Sequence, residues 1–162
     1  MIYLGADPGL TGAIAFIDGS FVQIYPIPTV TVKKSRQKLD MQSLKDIVQR
    51  VLLPGEDIFC VIERQSTRPE QSAQSGLTTG TNYGVLLGML FMAGIPYEEV
   101  TPQRWKKAML EGTDKSKGAS VLKAQSLFPG VSLLRTPRSR VPDHNMAEAL
   151  LLAEYARRIY NA

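Results

Sequence analysis

Four acidic residues stand where a carboxylate could do chemistry. They are Asp7, Glu63, Asp143 and Glu148. The first two each follow an apolar run, residues 2–6 and 58–62, and the last two lie at the start of a helix-like segment. A carboxylate at the end of a buried strand is costly unless it is solvated, paired or bound to a metal ion. Carboxylates that converge at one sheet edge repel one another, and divalent cations relieve that repulsion, as in two-metal phosphodiester hydrolysis.

Each acid also has a simpler interpretation. Asp7 could hold a turn through the Pro-Gly pair that follows it, and Glu63 could begin a surface loop. Asp143 could complement the positive N-terminal end of a helix dipole. Taken together, the four acids instead predict a site for divalent cations, because each lies at the end of a predicted element.

The composition narrows which metal such a site could hold. The chain of 162 residues has one cysteine, Cys60 within an apolar run, and one histidine, His144. These counts exclude an intrachain disulfide, a cysteine-rich zinc site and a multi-histidine zinc centre. Oxygen ligands remain, and they favour Mg²⁺, with Mn²⁺ as the alternative and two ions per active site.

Basic residues gather near the acids in the sequence. The net charge is +4 and the isoelectric point is about 9.3, and a basic domain of this size often binds nucleic acid. The candidates for DNA contact are Arg64, Lys106, Lys107, Lys115, Lys117, Arg138 and Arg140. The alternative is a solvated surface that aids solubility. Trp105 could stack on a base or anchor its helix in the core, and the core role is favoured.

Hydrophobic periodicity predicts the strands. Apolar runs predict five of them, over residues 2–6, 13–17, 21–27, 58–62 and 95–100. Asp18-Gly19 is a hairpin signal, so the first three strands are expected to be antiparallel neighbours. The unbroken run 58–62 predicts a central strand that is buried on both faces.

Helices fill most of the remaining sequence. They are predicted over residues 41–53, 77–93, 118–128 and 143–160, with a further one starting at Pro102. Asp40 and Thr101 are suited to capping helix N-termini. Two polar stretches are predicted to be loops: residues 33–38, either solvated or in contact with DNA, and residues 64–76. The order predicts an α/β fold, with a mixed five-stranded sheet flanked by helices in one domain over residues 1–162.

No apolar run approaches the roughly 20 residues that span a bilayer. The chain opens without a basic leader and runs directly into a strand-like segment. We therefore expect no membrane partner, and a protein of the cytoplasm or of an organelle lumen after removal of a leader.

Several segments resemble one family, the RuvC-type Holliday junction resolvases. Residues 2–9, with Asp7 before Pro8-Gly9, resemble the family's first strand, and residues 61–63 resemble the strand that ends in its glutamate. Residues 147–153 resemble its acidic, alanine-rich last helix. Further segments resemble the phage, bacterial and chloroplast subgroup, namely residues 100–107, 114–117 and 127–129.

The resemblance implies a ribonuclease-H-like fold and a homodimer that makes paired, metal-dependent nicks across a four-way DNA junction. Asp7, Glu63, Asp143 and Glu148 carry over as metal ligands and catalytic residues. Lys115 or Lys117 would be the catalytic lysine near the scissile phosphate. The apolar segment 77–93 contains Gly84 and Gly88 one turn apart, and we expect it to form part of the dimer interface, the alternative being a central core helix.

The sequence departs from the family pattern in two places. Better-known members carry two acids three residues apart in the last helix, whereas Asn145 stands three residues before Glu148. Asp143 stands five residues before Glu148, about 140° away around an ideal helix, so it can join the site only at the helix start. His144 is the second choice as a ligand or proton carrier. Residues 64–76 also lack the aromatic wedge that many relatives carry.

Three other functions remain open from the sequence. Another ribonuclease-H-like nuclease, acting on RNA–DNA hybrid or single strands, would use the same acids. A junction-binding protein without activity would not need them. Residues 7–12 also resemble the phosphate loop of actin-like kinases and ATPases, but those enzymes need a second similar lobe that 162 residues cannot supply.

Overall fold

The structure, a computed structural model, describes residues 1–33, 36–52, 55–67, 69–113 and 117–162, and of Lys117 only the main chain. In this part of the chain, five strands form one sheet with the spatial order β3-β2-β1-β6-β7. Its strands are β1 (Ile2–Asp7), β2 (Ala13–Asp18), β3 (Phe21–Pro26), β6 (Ile58–Glu63) and β7 (Tyr97–Val100). The prediction of five strands is confirmed, and each lies close to its predicted range.

The sheet is mixed. β2 pairs antiparallel with β1 and with β3, while β6 lies parallel to both β1 and β7. The turn between β2 and β3 contains Gly19 at a φ of 56°, which explains why Asp18-Gly19 signals a hairpin there. The predicted α/β architecture with a mixed five-stranded sheet is therefore confirmed.

A separate hairpin replaces one predicted loop. β4 (Thr29–Val32) and β5 (Arg36–Leu39) pair antiparallel, so the prediction of a loop is wrong for residues 36–38. The hairpin is exposed except at Leu39, so neither of its strands has the buried apolar run that marks the strands of the main sheet. What stabilises it is backbone pairing together with a cross-strand hydrogen bond from Gln37 Nε2 to Thr31 Oγ1, at 2.9 Å.

The helices largely follow the predictions. They are α1 (Met41–Val51), α2 (Ala73–Met92), α3 (Pro102–Met109), α4 (Lys117–Leu127) and α5 (His144–Tyr160). Asp40 and Thr101 cap α1 and α3 as expected, because each side chain accepts a hydrogen bond from a first-turn amide. α2 begins four residues earlier than predicted, at an N-cap formed by Ser72. Its first turn is Ala-Gln-Ser-Gly, which carries no apolar signal.

The two faces of the sheet bury separate cores. Along β1, Tyr3 packs with α5 and the elements beside it, while Ile2 and Leu4 pack with α1 and α2 on the opposite face. This alternation is the two-residue period of a strand that is covered on both sides. α5 lies along β1, and most of its residues between Met146 and Ala156 are fully buried. In the described ranges, no helix is both long and apolar enough to cross a membrane.

Candidate active site

The carboxyl ends of β1 and β6 bring two predicted acids together. The parallel register pairs Ala6 with Ile62, so Asp7 and Glu63 follow side by side at the same sheet edge. Both side chains lie on the face that α5 covers, because Gly5 and Val61 stand two residues earlier on that face. The two strand ends therefore place two carboxylates beneath the last helix.

Gly5 explains how the third acid reaches them. A Cβ atom at Gly5 would lie 2.2 Å from both the Ala149 carbonyl oxygen and the Ala153 amide nitrogen. The backbone of α5 thus rests directly on β1, at an approach that only glycine permits. Because Glu148 precedes Ala149, this contact places Glu148 above the ends of β1 and β6.

We call Asp7, Glu63 and Glu148 the acidic cluster, because Glu63 and Glu148 lie close enough to Asp7 to affect its pKa. The pKa of Asp7 is raised from 3.8 to about 7 by burial and by the charges of Glu63 and Glu148. A backbone hydrogen bond from Gly9 and the charge of Lys106 oppose that rise. Burial and Glu148 also raise the pKa of Glu63, against a hydrogen bond from Trp105. A divalent cation would relieve this repulsion.

Two residues of α3 hold the other two carboxylates. Trp105 Nε1 donates a hydrogen bond to Glu63 Oε2 at 2.6 Å. Lys106 Nζ lies 2.8 Å from Glu148 Oε1 and 5.1 Å from the centre of the Trp105 ring. Ser120 Oγ of α4 also donates to Glu148 Oε1, at 3.2 Å. Trp105 is fully buried, so its predicted core role is confirmed, and its indole N–H reaches the site as well.

Asp143 lies at the start of α5, which is the position that helix geometry requires if it is to join the site. It is the N-cap, with φ −86° and ψ 122°, and therefore lies outside helical geometry. Its Oδ1 accepts from the amides of Asn145 and Met146, and its Oδ2 lies 3.1 Å from Arg135. This carboxylate is thus engaged in capping the helix and in an ion pair. His144, the second-choice ligand, is the first residue of α5 and is half-buried.

The turn after Asp7 is tied to the same helix start. Arg135 and Asn145 each donate to the Thr11 carbonyl oxygen, at 2.6 and 2.8 Å. Within the turn, a Cβ atom at Gly12 would lie 2.0 Å from the Asp7 carbonyl oxygen. Asn145 therefore joins α5 to the turn that follows Asp7.

The donor set suits a hard cation, because carboxylate oxygens are the ligands that Mg²⁺ and Mn²⁺ prefer. The described ranges nevertheless contain no group of three acidic, histidine or cysteine side chains already arranged to hold a metal ion. Lys106 and Trp105 occupy oxygens of Glu148 and Glu63 instead. Each of these contacts uses one of the two oxygens of its carboxylate, and a cation would bind through the other oxygen.

The predicted DNA-contacting residues occupy different environments. Arg64, Lys107, Arg138 and Arg140 are exposed, whereas Lys106 is half-buried in its ion pair with Glu148. Lys115 lies outside the described residues, as does the side chain of Lys117, whose main chain begins α4.

Sequence reasoning missed several residues that build the site, among them Gly5, Ser120 and Asn145. A glycine inside an apolar strand is a signal of close backbone approach, and it could have identified Gly5. The contacts of Ser120 and Asn145 join segments 28 and 134 residues apart in the sequence, and no local pattern reveals them.

Comparison with known proteins identifies the fold. No protein-family model and no curated protein matches the sequence. Among solved structures, the chain is similar to RuvC of Thermus thermophilus in complex with a Holliday junction substrate, with a TM-score of 0.64 and 18% identity. That match covers 98% of this chain and 96% of the other. A second Thermus thermophilus RuvC structure matches with a TM-score of 0.59 and 22% identity, over 99% of this chain and 97% of the other.

The chain therefore has the ribonuclease-H-like fold of RuvC over almost its whole length, as the sequence resemblance predicts.

Proposed function

We propose that this protein is a metal-dependent endonuclease that resolves four-way DNA junctions, built as a single nuclease domain over residues 1–162. The observation that carries the proposal is the acidic cluster: Asp7 and Glu63 lie at one sheet edge with Glu148 of α5 above them, and burial together with the charges of Glu63 and Glu148 raises the pKa of Asp7. A fold shared with a protein solved on a Holliday junction supports the choice of substrate.

The chain's own residues would divide the work. Mg²⁺, or Mn²⁺ in its place, would supply an activated water and stabilise the leaving oxygen. Asp7, Glu63 and Glu148 would hold two such ions, with Asp143 as the fourth ligand. Trp105 fixes the orientation of Glu63 through its indole N–H. Lys106 lies beside Glu148, and Lys115 or Lys117 would offset charge that develops on the scissile phosphate.

Exposed cations would grip the DNA backbone. Arg64, Lys107, Arg138 and Arg140 project from segments next to the acidic edge, and the net charge of +4 favours a polyanion. Such contacts position the DNA without reading its base sequence, and they make the binding affinity depend on salt concentration. We place the activity in the cytoplasm or an organelle lumen, where such a DNA substrate would occur.

A homodimer would allow the paired nicks that resolution requires, and α2 offers a surface for it. Leu77 and Phe91 on this helix are 66% and 75% exposed. Added Cβ atoms at Gly80, Gly84 and Gly88 would meet nothing within 4 Å, so this face of α2 is open. The positions 77, 80, 84, 88 and 91 repeat at helical spacing and form one apolar stripe. A second copy of α2 could pack closely against it.

A cleavage assay tests the proposal and separates it from its alternatives. Synthetic four-way junction, linear duplex and RNA–DNA hybrid are each incubated with wild type and Asp7→Asn, with and without Mg²⁺. We expect wild type to cut the junction in paired nicks only with the metal, and Asp7→Asn to bind the junction without cutting it.

Other outcomes would contradict the proposal. Preferred cleavage of the hybrid would make the protein another ribonuclease-H-like nuclease, and junction binding without cleavage by wild type would make it a binding protein. Normal cleavage by Asp7→Asn would refute the proposed metal site.

A further inference from the structure

A groove lies between the β4–β5 hairpin and the N-terminal half of α2. It consists of two adjoining cavities of about 580 and 410 Å³, within the range of small-molecule sites. Both are lined by Leu10, Arg36, Gln74, Thr78 and Asn82. We call it the hairpin groove.

The hairpin groove begins beside the acidic edge. Gly9 and Gln65 line the smaller cavity, and they stand two residues after Asp7 and Glu63 respectively. A nucleotide next to a phosphate at the acidic cluster would therefore lie at the mouth of the groove. Arg36 lines both cavities and offers a positive charge to the DNA backbone there.

Asn82 is a mostly buried polar residue in the wall of the groove. It is 7% exposed and lines both cavities, yet its side-chain amide makes no hydrogen bond within the described part of the chain. Among the described residues, Glu154 Oε2 is the one fully buried side-chain polar atom without a hydrogen-bond partner, so the amide of the mostly buried Asn82 opens onto the groove and can bind a ligand there. An amide here therefore suits a ligand that brings its own donor and acceptor.

The walls around Asn82 define that ligand further. Leu10, Leu39 and Val85 supply apolar surface in the larger cavity, while Gln74 and Thr78 add polar groups. A nucleobase matches this arrangement, since its faces are apolar and its edge carries donors and acceptors that an asparagine can pair with.

We propose that the hairpin groove holds the base of an unpaired nucleotide next to the cut, and that the Asn82 amide reads its edge and so sets the sequence preference of cleavage. This inference rests on the proposed nuclease function. The test therefore includes one measurement that needs cleavage and one that does not.

The first measurement is cleavage of four-way junctions in which the nucleotides flanking the cut are varied one at a time. We expect wild type to favour one base at a flanking position by about tenfold or more. Asn82→Leu should cut all the variants at rates within about threefold of one another, because its side chain has no donor or acceptor. Gln42→Leu, an exposed amide on α1 outside both cavities, is the matched control and should keep the preference.

The second measurement follows the Asn82 side-chain amide by NMR while each of the four deoxynucleoside 5′-monophosphates is added. The amide signal is assigned by its loss in Asn82→Asp. We expect a saturable shift with the favoured base and smaller shifts with the other three. Asn82→Leu should melt no lower than wild type, whereas a structural asparagine with protein partners would lose stability on this change.

The outcomes separate the two proposals. If wild type cuts junctions without base preference, or Asn82→Leu keeps the preference, the groove assignment is overturned and the nuclease proposal stands. If no junction is cut, the nuclease proposal fails and the NMR titration decides the groove. A flat titration then overturns the assignment, and a base-selective shift supports a nucleotide site.

Discussion

Trp105 and Glu63 stand 42 positions apart in the sequence, and the indole Nε1 of one lies 2.6 Å from the carboxylate Oε2 of the other. The contact joins α3 to the end of β6. Trp105 is fully buried, and the residue after it, the half-buried Lys106, pairs with Glu148. Two consecutive residues of one short helix thus hold two of the three clustered acids.

This contact predicts the effect of Trp105→Phe. Phenylalanine keeps the aromatic packing and loses the N–H, so Glu63 loses its fixed orientation. Loss of such a supporting hydrogen bond typically lowers metal affinity or activity about 10- to 100-fold, which Mg²⁺-dependent cleavage rates would show. Tyr3→Phe is the matched control, because it removes a hydrogen bond with Asn161 near the other end of β1. Equal effects from both changes would contradict a specific role for Trp105.

The raised pKa of Asp7 predicts how the stability of the metal-free protein depends on pH. Its folded pKa of about 7 lies above the ordinary value of 3.8, so the folded state holds the proton more tightly than the unfolded state. The free energy of unfolding should therefore fall as pH rises from about 4 to 7, and stay low above that. A shift of this size corresponds to on the order of 4 kcal/mol.

Asp7→Asn should remove this dependence, because the amide does not ionise. At pH 8 without metal we expect the variant to melt roughly 8–16 °C above wild type, with a smaller difference at pH 4. Mg²⁺ should raise the melting temperature of wild type and leave that of Asp7→Asn unchanged. A variant that melts lower than wild type at pH 8 would contradict the repulsive cluster.

The open stripe on α2 predicts the effect of a charge at its centre. Gly84→Lys has room in one protomer, because a Cβ atom there meets nothing within 4 Å, but it would place a charge between two packed helices. We expect wild type to sediment as a dimer at micromolar concentration and Gly84→Lys as a folded monomer that no longer makes paired nicks. Gln42→Lys on α1 should remain dimeric. A wild-type monomer with full junction-cutting activity would refute this interface.

The roles of Lys115 and Lys117 should be separable by kinetics. If one of them stabilises the transition state, its loss lowers turnover more than affinity, by about 100-fold or more. We expect Lys117→Ala to show this in single-turnover cleavage at saturating enzyme, with near-normal junction binding when Ca²⁺ replaces Mg²⁺. Lys115→Ala should instead weaken junction binding. The slope of log affinity against log salt concentration should become shallower by about one unit, the contribution of one phosphate contact. Normal cleavage by both variants at saturation would mean that the segment only grips DNA.

The sequence by itself determined the elements whose signals are local. Buried strands appear as apolar runs, and the helices beginning after Asp40 and Thr101 appear through their capping residues, because both kinds of pattern act within a few residues. The placement of Asp7 and Glu63 at strand ends followed from the same runs. The exposed β4–β5 hairpin and the first turn of α2 were missed because neither buries a periodic apolar face.

Only the tertiary structure decided how the site is held together. Gly5 lets α5 rest on β1, and the parallel register of β1 and β6 sets Asp7 beside Glu63. The partners of Glu148 come from α3 and α4, and Asn145 reaches the turn after Asp7. These contacts join residues from 28 to 148 positions apart in the sequence. They depend on how whole elements pack, which the periodicity of any single segment does not encode.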